Sequence, residues 1–359
     1  MNKIKLFDPV IDKKEINNVV KTLKSGFWAS GAGHGQVDEF EKKFKKFVNS
    51  KACICVNSGT AALHLAVNLA NVKGKEVILP SMSFVSTAHA VLYNGGIPVF
   101  VDIDPNTLCI DPDEIKKKIS KKTRCIIPVH FGGMPSNIKK IKNFSNSKIK
   151  IVEDAAHACG SEFNRKKIGS HGDFVCFSFH PVKNLAMPTG GLISINTKNY
   201  KKSVSNLKSK RWCGITNRTD TSYDVDKLGW NFYMNEFSAT IGLSQLEKIE
   251  KMNKKRKRIA RIYQKELDVE KIMPYSNSCA YHLYWICVKN RKSFRKKLLE
   301  KSIETGTHYK PIHQMSLYKK SYQLPVTEKI SKEIVTIPIH PNLNDQEVDK
   351  IIASVNKFM

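Results

Sequence analysis

The feature that most constrains this chain is an alternation that starts near Lys51. The apolar runs CICV, VILP, PVFVDI, RCIIPVH and IKIVED read as short buried strands. Between them lie four segments with helical character: the stretch carrying Leu63, Val67 and Ala70, then Ser83 to Tyr93, DPDEIKKKIS and SNIKKIKNF. A sixth run, FVCFSF, follows. Strand–helix alternation of this kind predicts an α/β protein with a mostly parallel sheet covered by helices. Ligands in such sheets bind at the carboxyl ends of the strands.

Chemically distinctive residues fall at those ends. Thr60, Phe84, Asp154 and Lys183 each come just after a predicted strand. An acid at one strand end and a lysine just past the next are what an enzyme using pyridoxal phosphate (PLP) needs. The acid keeps the pyridine nitrogen protonated, and the lysine forms a Schiff base and then carries protons. Ser58-Gly59-Thr60 sits at a strand-to-helix turn, where free amides can hold an anion and glycine lets it approach. Alone this pattern reads equally as a helix cap. With the lysine and the acid it reads as a phosphate cup.

Composition narrows the class. A chain of 359 residues can hold one large core and a smaller lobe. The opening MNKIKLFDPVIDKKEI carries acids and no apolar core, unlike a signal peptide, and no apolar run approaches a membrane span. Nine cysteines without a C-x-x-C pair suggest a reduced, cytoplasmic protein, with Cys53 and Cys55 as packing residues. The net charge of +28 comes mostly from dispersed lysine, with nine arginines among 60 basic residues. The densest run, Lys251 to Arg261, shares helical spacing with Ile249, Met252 and Ile259, so a solvated helix face is expected rather than a nucleic-acid surface. Such a field favours an anionic substrate. Gly31, Gly33 and Gly35 follow a polar helix rather than a strand, which predicts a loop beside a site and not a dinucleotide fingerprint. His308 and His313 lack an acid or cysteine nearby in sequence to complete a ligand set, and no metal is expected.

The segments VNSGTAALHLAV, ILPSMSFVSTAHAV, PVFVDIDPNTL, PVHFGG, VEDAAHACGSEF, FSFHPVKN and WNFYMNEFSATIGLSQLEKIEKMNKKRKRIARIY occur in order along the chain. Together they resemble the DegT/DnrJ/EryC1/StrS family of PLP-dependent sugar aminotransferases. The resemblance implies the PLP-dependent transferase fold type I, similar to aspartate aminotransferase. Residues 1–245, with a helical lead-in, would form the large PLP-binding domain, and residues 246–359 a small C-terminal α/β domain. Lys183 would be the Schiff-base lysine and Asp154 the partner of the pyridine nitrogen. Ala156 would lie against one ring face and Phe84 against the other, with His157 on the phenolic oxygen. Ser58, Gly59, Thr60 and Ser178 would hold the phosphate. Asn231 would reach it from the neighbouring subunit of a homodimer, and His308 and Tyr309 would touch substrate. Many members follow the lysine with a Thr-Thr-Gly-Glu-Gly-Gly type of run. Here Asn184 to Gly191 reads NLAMPTGG, without the acid, although Gly190 and Gly191 keep the turn. A lysine rather than a histidine at 183 separates the chain from the deoxygenating relatives.

The implied reaction moves the amino group of L-glutamate onto a keto sugar linked to a nucleotide, supplying amino sugars for surface glycans such as O-antigen. Gln245-Leu246 is more like enzymes acting on 4-keto-6-deoxy hexoses. A 3-keto nucleotide sugar, a non-nucleotide cyclic ketone, and a non-enzymatic binding protein on the same scaffold are the alternatives. The last would be expected to have lost the lysine or the aspartate.

Overall fold

A computed structural model describes residues 3–144, 148–318 and 322–359. Seven strands form the central sheet: β1 (Ala52–Val56), β2 (Glu76–Pro80), β3 (Ile97–Val101), β4 (Thr123–Ile126), β5 (Lys150–Asp154), β6 (Phe174–Ser178) and β7 (Gly191–Ile195). Their spatial order is β1-β7-β6-β5-β4-β2-β3. Every strand points the same way except β7, which is antiparallel to both neighbours. The sheet is buried on both faces, which is why its strands read as continuous apolar runs rather than alternating ones.

One face packs on the helix Gly59–Leu69 through Ala62, Leu65 and Ala66, and on Leu207 of the helix Tyr200–Arg211. The other packs on Phe40 and Phe44 of the helix Gln36–Val48 and on Ala239 and Ile249 of the long helix Glu236–Glu266. That long helix then carries Ile259, Ala260 and Tyr263 into a second core. There the strands Tyr284–Cys287 and Ile334–Ile337 pair antiparallel beside the helices Arg291–Glu300 and Asp345–Phe358. Asn344 opens the last helix with a capping box to Glu347, as its sequence suggested.

Three local expectations change. The helical lead-in is confined to Lys13–Lys24; before it the chain is extended, with Ile4 bridged to Ile303. The helix expected from Ser83 begins at Ser86, because Ser83 is taken up by a hydrogen bond to the Thr87 hydroxyl. The Gly31–Gly35 loop does not line the main strand-end cavity of its own chain. It closes on Arg211, whose Nη2 donates to the Ala32 carbonyl at 3.0 Å. The basic run lies along the long helix with Lys251, Lys254, Lys255, Arg258 and Arg261 exposed, whereas Arg256 is buried. Eight of the nine cysteines are buried and all are unpaired. Among the described residues no helix is long and apolar enough to cross a membrane.

Candidate active site

The carboxyl ends of β1, β2, β5 and β6 open on a cavity of about 360 Å³. Its wall includes Ser58, Gly59, Thr60, Phe84, Asp154, Ala156, His157, Ser178, Lys183, His308 and Tyr309. Eleven of the twelve residues singled out in the sequence thus converge on one space. Asn231 is the exception: it is exposed and lies outside the cavity of its own chain, where its carbonyl accepts from Asn57 Nδ2 at 3.3 Å.

Asp154 ends β5, and its carboxylate accepts from the Thr87 hydroxyl at 2.7 Å and from the Ala156 amide at 3.1 Å. Burial raises its pKa, opposed by those two hydrogen bonds and by the charge of Lys183. The carboxylate is therefore positioned by short bonds yet costly to ionise until a cation faces it. Lys183 leaves the loop after β6. Burial lowers its pKa to about 8, with Asp154 pulling the other way, so near physiological pH a minor fraction of the amine is neutral, far more than for an ordinary lysine. A neutral amine is what both carbonyl condensation and proton abstraction require.

His157 Nδ1 accepts the Gly132 N–H at 3.2 Å, which places the ring proton on Nε2, 3.2 Å from the Tyr309 hydroxyl. Burial and then the Lys183 charge hold this imidazole far below its ordinary basicity, leaving a neutral donor aimed across the cavity. Phe84 and Tyr309 stand with ring centroids 6.1 Å apart, and Phe84 remains 57% exposed in the chain by itself.

The helix Gly59–Leu69 points its N-terminus into the same space. Ser58 caps it by accepting the Ala61 amide at 3.1 Å, and Thr60 Oγ1 sits 2.8 Å from Ser86 Oγ. A side chain at 59 would bring its Cβ within 2.7 Å of Ser178 Cβ, so glycine keeps the cup open. First-turn amides, two hydroxyls and a glycine floor form a phosphate-sized anion site. The cup, Asp154, His157 and Lys183 line one cavity, so the residues present fit PLP.

The chain matches the model of the DegT/DnrJ/EryC1/StrS aminotransferase family over residues 9–356. It belongs to that family. Its relatives include GDP-perosamine synthase of Escherichia coli O157:H7, 30% identical over 367 residues and covering 100% of this chain and 99% of the relative. The spore coat polysaccharide biosynthesis protein SpsC of Bacillus subtilis is 32% identical over 375 residues, covering 98% and 96%. Among solved structures, Helicobacter pylori PseC, an aminotransferase involved in the biosynthesis of pseudoaminic acid, superposes with a TM-score of 0.93 at 27% identity, covering 99% of each chain. The PLP form of a protein assigned as a sugar aminotransferase from Streptococcus pneumoniae superposes equally well, with a TM-score of 0.93, 27% identity and coverage of 99% and 98%. This member of the DegT/DnrJ family is accordingly a PLP-dependent sugar aminotransferase of fold type I.

Three contributors to this aminotransferase site were not apparent in the sequence. Thr87 is hidden as an ordinary helix residue, although it lies one turn past Phe84. Ser86 pairs with Thr60 across two strand-end turns. His282 sits 3.4 Å from Lys183 Nζ; its signal was a lone imidazole within the apolar run AYHLYWICV. The two histidines weighed as metal ligands part company. His308 lines the cavity, whereas His313 is held by the Ser81 hydroxyl at 2.6 Å and by Glu328, a partner supplied from 15 residues further on. His180 is exposed at the cavity rim, and its Nδ1 accepts the Val182 amide at 3.5 Å.

Proposed function

We propose that this enzyme transfers the amino group of L-glutamate to a nucleotide-linked keto hexose, most naturally a 4-keto-6-deoxy sugar, for the synthesis of surface glycans. The reading rests on the convergence of Lys183, Asp154 and the Gly59 helix terminus on one cavity. Similarity to GDP-perosamine synthase supports the nucleotide sugar, as does the +28 net charge, which favours an anionic substrate.

In this reading Lys183 is the residue that links to the cofactor. When bound, the cofactor supplies an electron sink for the pair left when a carbon–hydrogen bond breaks. Lys183 Nζ, once free, takes the α-proton of glutamate and later delivers a proton to the aminated sugar carbon. Asp154 would hold the pyridine nitrogen's proton, with Thr87 fixing the carboxylate. His157 Nε2–H would donate to the ring oxygen. The Gly59 and Thr60 amides with the Ser178 hydroxyl would bind the phosphate, and Ala156 and Phe84 would confine the ring. His308 and Tyr309 flank the space left for substrate. Asn231, exposed and outside its own cavity, completes the phosphate site of a second copy, which makes the working unit a homodimer in the cytoplasm.

A panel of UDP-, GDP- and dTDP-linked 4-keto and 3-keto sugars, with cyclitol ketones as controls and glutamate as donor, tests the substrate. Product from a 4-keto nucleotide sugar supports the reading; product only from cyclitol ketones would sink it. Mixing inactive Lys183→Ala and Asn231→Ala chains tests the shared site, since mixed dimers should regain activity and independent subunits would not.

A further inference from the structure

Lys183 has a neighbour that the reaction scheme above does not use. Among the described residues, His282 Nε2 is the one hydrogen-bond partner of Lys183 Nζ, at 3.4 Å. The acid that acts on the lysine, Asp154, does so through its charge alone. Whatever fixes the free amine is therefore the imidazole.

The imidazole is itself held from several sides. It is 4% exposed. Its ring stacks on Phe7 with centroids 5.5 Å apart and planes 19° apart, and lies 4.4 Å from the His157 ring on another side. The His282 amide donates to the Gly132 carbonyl at 2.9 Å, just before the strand Tyr284–Cys287 begins. Phe7 comes from the extended N-terminal segment, which is tied down where the Leu6 amide donates to Glu304 and His340 Nε2 meets the Lys5 carbonyl at 3.0 Å. The N-terminal segment thus backs the His282 ring through Phe7, and His282 in turn touches the lysine.

We propose that His282 is a positioning residue for Lys183, its Nε2 accepting a hydrogen bond from the lysine amine and fixing that amine at the back of the cofactor cavity. Burial disfavours a charged imidazole here. The positive charges of Lys183 and Arg256 act in the same direction, so the ring is neutral with one lone pair to offer. The ring proton is then on Nδ1. A lysine returned to one place whenever it is released gives the proton transfers a fixed origin, and misplacement of a transferring group is costly in rate. The inference builds on the aminotransferase reading for its consequence, but the contact itself is tested without cofactor or substrate.

The test uses the cofactor-free full chain. Carbamylation of Lys183 by cyanate, followed by peptide mass spectrometry over a pH series, gives the apparent pKa of its amine. His282→Phe keeps a stacking ring and removes the acceptor. A hydrogen bond to a charged group contributes about 1.5–3 kcal/mol, so the pKa should fall by about 1–2 pH units. His282→Gln, which restores an acceptor, should recover most of the loss. With PLP, the Phe variant should lose kcat and keep its KM for the keto sugar. An unchanged lysine pKa in folded His282→Phe overturns the proposal. If that variant does not fold, ¹⁵N NMR of histidine-labelled wild-type protein decides: an Nδ1–H tautomer upholds the assignment and an Nε2–H tautomer refutes it. Failure of glutamate to convert the PLP-loaded enzyme would defeat the proposed reaction while leaving this contact standing.

Discussion

Replacing Lys183 by methionine should do two opposite things. It removes the residue proposed to link the cofactor, so steady-state turnover should vanish. In the cofactor-free protein it should also raise stability, because the native lysine is held against its preference for water. A pKa lowered from 10.5 to about 8 corresponds to ~3 kcal/mol of penalty on the charged form in the folded state. The sign follows from the direction of the shift. Below pH 8 the unfolded chain carries its proton freely while the folded chain carries it at a cost, so the full penalty applies. As pH rises from 8 towards 10.5 the unfolded lysine also loses its proton, and the penalty fades. Losing the His282 hydrogen bond to the charged amine returns about 1.5–3 kcal/mol, leaving a net gain of about 0–1.5 kcal/mol at pH 7. Methionine is close to lysine in length and creates no large cavity. Urea unfolding of both cofactor-free proteins at matched concentration, at pH 7 and pH 10, measures this directly. A Lys183→Met protein less stable than wild type at pH 7, or a gain that does not shrink by pH 10, would refute the reasoning.

Other perturbations follow from the same geometry. Asp154→Asn should cut the rate of the glutamate half-reaction by about 10- to 1000-fold, since a carboxylate beside a cation typically shifts its pKa by about 1–3 units; stopped-flow spectra would show a loss under threefold if this is wrong. Thr87→Val removes the 2.7 Å bond that fixes that carboxylate and should lower kcat roughly 10- to 100-fold with the fold intact. Circular dichroism alongside kinetics separates that outcome from unfolding. Arg211→Met leaves Glu41 buried without its 2.6 Å partner and unties the glycine loop, so urea unfolding should register a loss of about 3–5 kcal/mol.

Much of this was legible in the chain. The alternation of CICV, VILP and their successors with helical segments gave the sheet, because strands buried on both faces must be apolar throughout. Asp154, Lys183 and the Ser58-Gly59-Thr60 turn were readable because strand ends in such sheets are where ligands gather. What was not readable depended on pairs remote in sequence. His282 is 99 residues from Lys183, and nothing local says that its ring faces a lysine rather than the core. Glu153 is another case. It is adjacent to Asp154, which lines the cavity, yet points the other way, into a buried pair with His130 at 2.8 Å. Only the strand's alternation of sides separates the two acids. The N-terminal segment looked like part of a helical lead-in, but its residues are extended because the pairing of Ile4 with Ile303 captures them.

The most direct test of the central claim is the visible absorption spectrum of the purified protein with PLP, before and after glutamate. A yellow band from cofactor linked to Lys183 is expected, which bleaches when glutamate is added and returns with a suitable keto sugar. A protein that never develops the band, or whose band is equally strong in Lys183→Ala, would contradict it.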